Sequence, residues 1–175
     1  FSEMMYHPHG DKPEYIEVSN LTATPLDITD WRFTEGVDYA FPSFSTNSPA
    51  LTFLKAFERI VVSAADEATT RAAYPIPAAV RVFGPWTGNL SDAGERVTLK
   101  DKNGALACTV EYNDRGHWSP AADGAGHSLV FKNPNRVVDD WRNWTVSERP
   151  DGTPGYEVVS LVETPVANPE INLSQ

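Results

Sequence analysis

The chain has 175 residues, of which 41% are hydrophobic and 11% aromatic, and this is enough for one globular domain with a sizeable core. Its formal net charge of −10 disfavours nucleic-acid binding and binding to anionic membrane surfaces, since both require basic patches. Its apolar runs are far shorter than the roughly 20 residues of a membrane-spanning helix, and we expect no membrane insertion. With a single cysteine, Cys108, no intrachain disulfide can form.

Apolar residues alternate with other residues in short runs of the first part of the chain, which is typical of strands with one buried face. A turn over 34–36 predicts a hairpin, because Gly36 can adopt the left-handed conformation. A cluster of proline and glycine at 7–13 predicts another turn. The predicted strands of this part cover residues 2–6, 15–18, 25–28, 31–33 and 37–41.

The middle of the chain adds a central strand and one helix. The β-branched run 60–62 predicts the strand. Asp66 is suited to cap an alanine-rich helix that Pro75 ends, and at about two turns this helix needs packing against a sheet to be stable. The run 51–57 fits either a strand or a helix.

The strongest local signal is a hairpin between Glu95 and Tyr112. Asn103 and Gly104 predict a two-residue type I′ turn. Counting outward from this turn pairs apolar residues with each other and opposite charges with each other, as cross-strand energetics favour. The predicted pairs are Leu99 with Cys108, Val97 with Val110, Thr98 with Thr109 and Arg96 with Glu111.

The last part of the chain predicts a long loop at 113–126, a strand at 127–132 and a final edge strand at 141–147. We expect the compact domain to span 1–155, and residues 156–175 to form a C-terminal extension or linker. Many short strands with a single short helix predict an all-β fold, a mostly antiparallel β-sandwich.

Several short motifs follow one another in a fixed order along the chain. They are SEMMYHP at 2–8, EYIEVSN at 14–20, PLDI at 25–28, DWRF at 30–33, GVDYAFP at 36–42, LSDAGE at 90–95, DGAGHSL at 123–129 and GTPG at 152–155. Together they resemble the lamin tail domain family, specifically its bacterial extracellular members. The resemblance implies an immunoglobulin-like β-sandwich without known catalytic residues.

The same resemblance implies a non-catalytic module of a larger secreted or cell-surface protein, which mediates protein contacts or spacing. We expect it to be monomeric within the longer chain, without enzymatic activity and without a nucleic-acid partner. In the nuclear relatives, the domain comes after a coiled coil along the chain and binds proteins and DNA. This chain has neither heptads nor a basic patch.

A glycan-binding module is the alternative, and it depends on tryptophans on or near loops. Exposed aromatic side chains can stack on sugar rings or anchor protein partners. Trp86 and Trp118 are the best candidate contact residues, because glycine and proline lie close to both. The expected partner is therefore a protein or a cell-surface glycan.

A metal-dependent hydrolase is a remote alternative. His7, His9 and Asp11 are spaced like the first half of a metallo-hydrolase motif, but Lys12 follows where such hydrolases usually have histidine. We expect no cofactor, and a structural calcium ion remains open if four acidic residues cluster in space. These are Asp114, Asp123, Asp139 and Asp140, of which Asp123 is otherwise expected to bond nearby amides in a turn.

Overall fold

Short strands account for most of the regular structure in the computed structural model, which describes residues 1–43, 52–133 and 135–156. Apart from Tyr156, the predicted linker at 156–175 lies outside these ranges. No helix of the described ranges is long and apolar enough to cross a membrane. The helix α1 spans Glu67–Ala73, and the strands are β1 Glu3–Met5, β2 Tyr15–Ser19, β3 Leu26–Asp27, β4 Arg32–Glu35, β5 Tyr39–Ala40, β6 Phe53–Leu54, β7 Arg59–Ser63, β8 Arg81–Phe83, β9 Arg96–Lys100, β10 Leu106–Glu111, β11 Leu129–Phe131 and β12 Trp144–Val146.

The strands form two main sheets and one short pair. The larger sheet has the order β12-β11-β1-β2-β7-β8, the smaller one has the order β10-β9-β4-β5, and β3 pairs with β6. In the described ranges β7 and β8 are parallel, with α1 in the connection between them, and the other strand pairs are antiparallel. The predicted all-β architecture with one short helix is therefore confirmed.

The two sheets pack face to face around one hydrophobic core. Side chains alternate along each strand, so Met4, Ile16 and Ile60 of the larger sheet point towards Phe33 and Leu99 of the smaller one. All five side chains are fully buried. This packing gives the predicted sandwich.

The outer face of the larger sheet is also buried, because α1 and the segment that follows it cover part of it. Tyr15 and Val61 of the outer face pack with Tyr74, whose ring lies edge-on to Tyr15 at 4.9 Å between centroids. Asp66 caps α1 as predicted, since its Oδ1 accepts a hydrogen bond from Thr69 N at 2.8 Å. The central strands therefore have two buried faces.

Glu3 lies on the same outer face and is 1% exposed. Its Oε1 accepts hydrogen bonds from Tyr15 Oη at 2.6 Å, Ser128 Oγ at 2.5 Å and Thr153 N at 2.6 Å. Burial raises the pKa of Glu3, and the neighbouring charge of Glu17 raises it further. The carboxylate thus joins three distant parts of the chain in a dry environment.

Glu17 lies directly opposite Glu3 on β2 and is equally buried. Its carboxylate accepts from Ser2 Oγ at 2.6 Å, from Arg59 at 2.9 Å and from Gly155 N at 2.5 Å. The two acids together hold the segment 152–155 against the sheet. They act as structural anchors, and the GTPG motif supplies main-chain donors to both.

The hairpin of β9 and β10 has the predicted register but a different turn. All four predicted residue pairs are present. Asp101 N donates to the carbonyl of Ala105, so the loop has three residues and ends with Gly104 at a φ of 82°. The residue before Gly104 is not left-handed, so the predicted type I′ turn is wrong. A register shift between Leu106 and Cys108 absorbs the extra residue and restores the predicted pairing.

The last strand is at the edge of the larger sheet, as predicted, but it is shorter than expected. A 3₁₀ helix over Trp141–Asn143 occupies the start of the predicted strand, and Asp140 caps it by accepting from Arg142 N at 3.1 Å. A second 3₁₀ helix spans Pro120–Ala122 in the long loop. The long loop and the edge strand meet through the rings of Trp118 and Trp144, whose centroids are 6.3 Å apart.

Candidate binding groove

Trp86 is not a surface residue, and its prediction as a contact residue is wrong. It is 6% exposed and belongs to the hydrophobic core. Its main-chain N–H donates to Ser63 at 3.1 Å, and the next residue, Thr87, exchanges two main-chain hydrogen bonds with Asp38 at 2.9 Å each. These bonds bind the loop to both sheets and direct the indole inward, which the flanking glycines and proline do not reveal.

Trp118 is partly buried and lies at the margin of the core. Its ring packs against Trp144 with 6.3 Å between centroids. Trp144 is 6% exposed, and its indole N–H donates to the Val138 carbonyl at 2.8 Å. One side of Trp118 is therefore fixed by a well-anchored neighbour.

Trp141 provides exposed aromatic surface, although it was not among the predicted contact residues. Its exposed fraction is 41%. Its ring stacks on His117, with 4.0 Å between centroids and 10° between planes. The sequence did hold one signal for Trp141, because it directly follows two aspartates that can cap a short helix. The sequence does not show, however, that His117 lies beneath its ring.

Trp118 and Trp141 both line two neighbouring pockets, which we call together the aromatic groove. The smaller pocket has a volume of about 220 Å³, and the larger one, which we call the polar pocket because charged side chains line it, has a volume of about 370 Å³. The first is lined by His117, Trp118, Ser119, Leu129, Trp141, Trp144, Thr145 and Val146. The second is lined by Glu111, Trp118, Val137, Asp139, Asp140, Trp141 and Arg142.

The charged groups of the polar pocket are paired with arginines. Asp140 forms two hydrogen bonds with the Arg142 guanidinium, at 2.9 Å each, and this contact holds the pKa of Asp140 below its usual range. Arg96 contacts both Glu111 and Asp139, the latter at 3.7 Å. Asp139 also accepts from the main-chain N–H of Glu111 at 2.8 Å. The groove therefore offers polar groups whose charges are already largely compensated.

The residues of the metal-site hypothesis are not brought together. His7 Nδ1 donates to Asp123 at 2.7 Å and lies 3.7 Å from Asp92. His9 and Asp11 are exposed. Across 1–43, 52–133 and 135–156, no group of three or more histidine, cysteine, aspartate or glutamate residues could hold a metal ion.

The four acidic residues considered for calcium fall into separate contacts. Asp139 and Asp140 belong to the aromatic groove, whereas Asp123 binds His7 and Asp114 lies 3.3 Å from Arg115. Asp123 was expected to bond nearby amides, but its carboxylate takes the imidazole N–H instead. The four residues thus do not form one cluster.

A cleft beside His7 contains a carboxyl group that titrates near neutral pH. Glu14 accepts a hydrogen bond from Leu90 N at 2.9 Å, and burial, reinforced by the charge of Asp92, raises the pKa of Glu14 to about 7. The cleft has a volume of about 420 Å³, and its amine, Lys12 Nζ, is 2.5 Å from Asp151. The described residues that line this cleft include no serine, threonine, cysteine or tyrosine, so they provide no hydroxyl or thiol nucleophile.

Comparison with known proteins supports the family that the motifs suggest. The family model described as Lamin Tail Domain matches residues 1–114, which is more than half of the chain. No curated protein and no solved structure was found to match. Of the residues that line the aromatic groove, Glu111 lies within the matched range and the others follow it. The chain belongs to the lamin tail domain family and has the immunoglobulin-like β-sandwich of that family.

Proposed function

We propose that the domain is a non-catalytic interaction module of a larger secreted or cell-surface protein, and that the aromatic groove is its contact surface. The observation that carries this proposal is the exposed stack of Trp141 on His117 beside Trp118. Aromatic anchors at the centre of a pocket contribute most of the free energy at binding surfaces. The groove also lies at an edge of the sandwich, where a large partner has access.

The non-catalytic part of the proposal is supported by the positions of the ionisable groups. Glu3 and Glu17 are buried and accept structural hydrogen bonds, and His127 Nδ1 contacts the main-chain carbonyl of Ser147 at 2.8 Å. The carboxylates of the groove are engaged by arginines. A general base needs a substrate proton within reach and a nucleophile needs a free base, and these groups are committed elsewhere.

The secreted or cell-surface location is supported by the resemblance of the motifs to bacterial extracellular members of the family. The net charge of −10 is consistent with a partner other than nucleic acid. Surface labelling of the full-length parent protein in intact cells of its source would test this location. Protection of the protein from an impermeant labelling reagent would refute it.

Binding of the labelled chain to cell-surface material from its source tests the groove. We expect Trp141→Ala to reduce this binding by about tenfold, because the variant removes an exposed anchor without opening the core. Tyr156→Ala is a matched control, since Tyr156 is 42% exposed and does not line the groove. Equal binding by wild type and Trp141→Ala, or no binding by wild type, would contradict the proposal.

A further inference from the structure

We infer that the ligand of the aromatic groove is a neutral polysaccharide chain, an assignment that rests on the proposed function of the groove as a contact surface. A pyranose ring has an apolar C–H face and an edge of hydroxyl groups. Such a ring matches a site in which an aromatic wall adjoins a polar pocket. Trp118 and Trp141 form the wall, and Asp139 and Arg142 line the polar side.

The charge distribution favours a neutral ligand. A polyanion needs free cations, but Arg142 is held by two hydrogen bonds to Asp140, and Arg96 contacts Glu111 and Asp139. A cationic peptide needs free carboxylates, and these same contacts occupy them. Sugar hydroxyls can donate to carboxylate oxygens and accept from guanidinium groups that remain ion-paired, because both groups have further hydrogen-bonding capacity.

The arrangement of the pockets favours a chain over a single sugar. Trp118 and Trp141 line both pockets, so a ligand that occupies both extends along these two indole rings. Trp141 and Arg142 line part of the polar pocket. Trp141 is 41% exposed, and the side chain of Arg142 is largely exposed to solvent. We therefore assign successive sugar units of one strand to the two pockets.

His117 has the role of a positioning residue in this site. Its imidazole lies 4.0 Å from the Trp141 ring and parallel to it, so it covers one face of the indole and leaves the other face for a sugar. A ring held in place before binding loses less conformational entropy when the ligand arrives. His117→Ala is therefore expected to weaken binding less than Trp141→Ala, because it loosens the platform without removing it.

Calorimetric titration of the chain with defined oligosaccharides tests the inference. The neutral probes are cellohexaose, xylohexaose, mannohexaose and chitohexaose, and the charged probes are heparin, polygalacturonate and hexalysine. We expect at least one neutral probe to bind, with an affinity that changes by less than about twofold when salt is raised about tenfold, because no counterions are released. Trp141→Ala should weaken this binding about tenfold or more, and Tyr156→Ala should leave it unchanged.

Three results would overturn the inference: no binding of a neutral probe, salt-sensitive binding of a charged probe in preference to neutral ones, or neutral binding that survives Trp141→Ala.

Trp118→Phe provides a second variant that keeps an aromatic ring against Trp144 and so preserves the fold. If Trp141→Ala abolishes binding to cell-surface material but no neutral probe binds, the ligand assignment fails and the proposed function stands. If Trp141→Ala leaves cell-surface binding intact, the proposed function itself fails.

Discussion

The buried carboxylate of Glu3 allows the assembly of the sandwich to be tested by one substitution. Glu3→Ala removes the acceptor for Tyr15 Oη, Ser128 Oγ and Thr153 N. The Ser128 hydroxyl can turn, but the phenol of Tyr15 and the N–H of Thr153 are fixed, and each buried donor left unpaired costs about 1–3 kcal/mol. Removing a charge that burial and Glu17 disfavour offsets part of this cost. We expect the free energy of unfolding to fall by about 3 kcal/mol.

Glu3→Gln is the matched control, because glutamine keeps one acceptor oxygen for the same three donors. Its amide can donate to Thr153 Oγ1, which lies 3.0 Å from the second carboxylate oxygen. The pKa of Glu3 is raised in the folded protein. Protonation of Glu3 therefore stabilises the fold fully below about pH 4.5, and this stabilisation is lost as pH rises through the pKa that Glu3 has in the folded protein. The stability of Glu3→Gln relative to wild type should therefore increase with pH.

Urea unfolding followed by tryptophan fluorescence measures these free energies for the wild type and both variants. Hydrogen exchange of the Thr153 amide provides a local measurement, and it should accelerate in Glu3→Ala because the segment 152–155 loses an anchor. A loss below about 1 kcal/mol for Glu3→Ala, or equal losses for the two variants, would refute the assignment of Glu3 as an acceptor that the fold requires.

Three further substitutions test local features by urea unfolding. Glu14→Gln should flatten the dependence of the free energy of unfolding on pH. With a pKa of about 7 in the folded protein, Glu14 contributes its full stabilisation below about pH 4.5 and loses it as pH rises through 7. An unchanged pH dependence would contradict this. Asp101→Ala should cost about 1 kcal/mol, since Asp101 Oδ1 accepts from two loop N–H groups at 2.8 Å, and no loss would contradict it. Gly94→Ala should lower the free energy of unfolding by more than about 2 kcal/mol. The added Cβ would lie 2.5 Å from the Tyr112 carbonyl oxygen, and the residue has a φ of 94°. Stability close to that of the wild type would show that the loop adapts.

The strands of the hairpin were predictable from the sequence, but its turn was not. Matching apolar and charged pairs between β9 and β10 specify the register over several residues, and the structure has all four predicted pairs. Asn-Gly is compatible with a two-residue turn and with a three-residue loop that ends in glycine. Asp101 favours the longer loop by accepting hydrogen bonds from Asn103 N and Ala105 N. The bulge after Leu106 then restores the pairing, which no local pattern indicates.

The candidate site was less predictable than the fold. Four tryptophans had similar sequence surroundings on or near loops, yet Trp86 and Trp144 are buried, Trp118 is partly buried and Trp141 is exposed. Their exposure depends on which segment packs against each ring. The stack of Trp141 on His117 joins residues 24 positions apart in sequence, and alternation and turn residues carry no information about such a contact.

Alternation and turn residues were enough to predict an all-β sandwich, because these signals act over a few residues. The ordered motifs then indicated a resemblance to the lamin tail domain family. The burial of Glu3 and Glu17 as anchors depends on the tertiary structure, since the segment 152–155 reaches them from a distant part of the chain. The same long-range packing places Trp118 and Trp141 in the lining of a groove with paired charges. Long-range packing determines solvent exposure, and solvent exposure determines which side chains can meet a ligand.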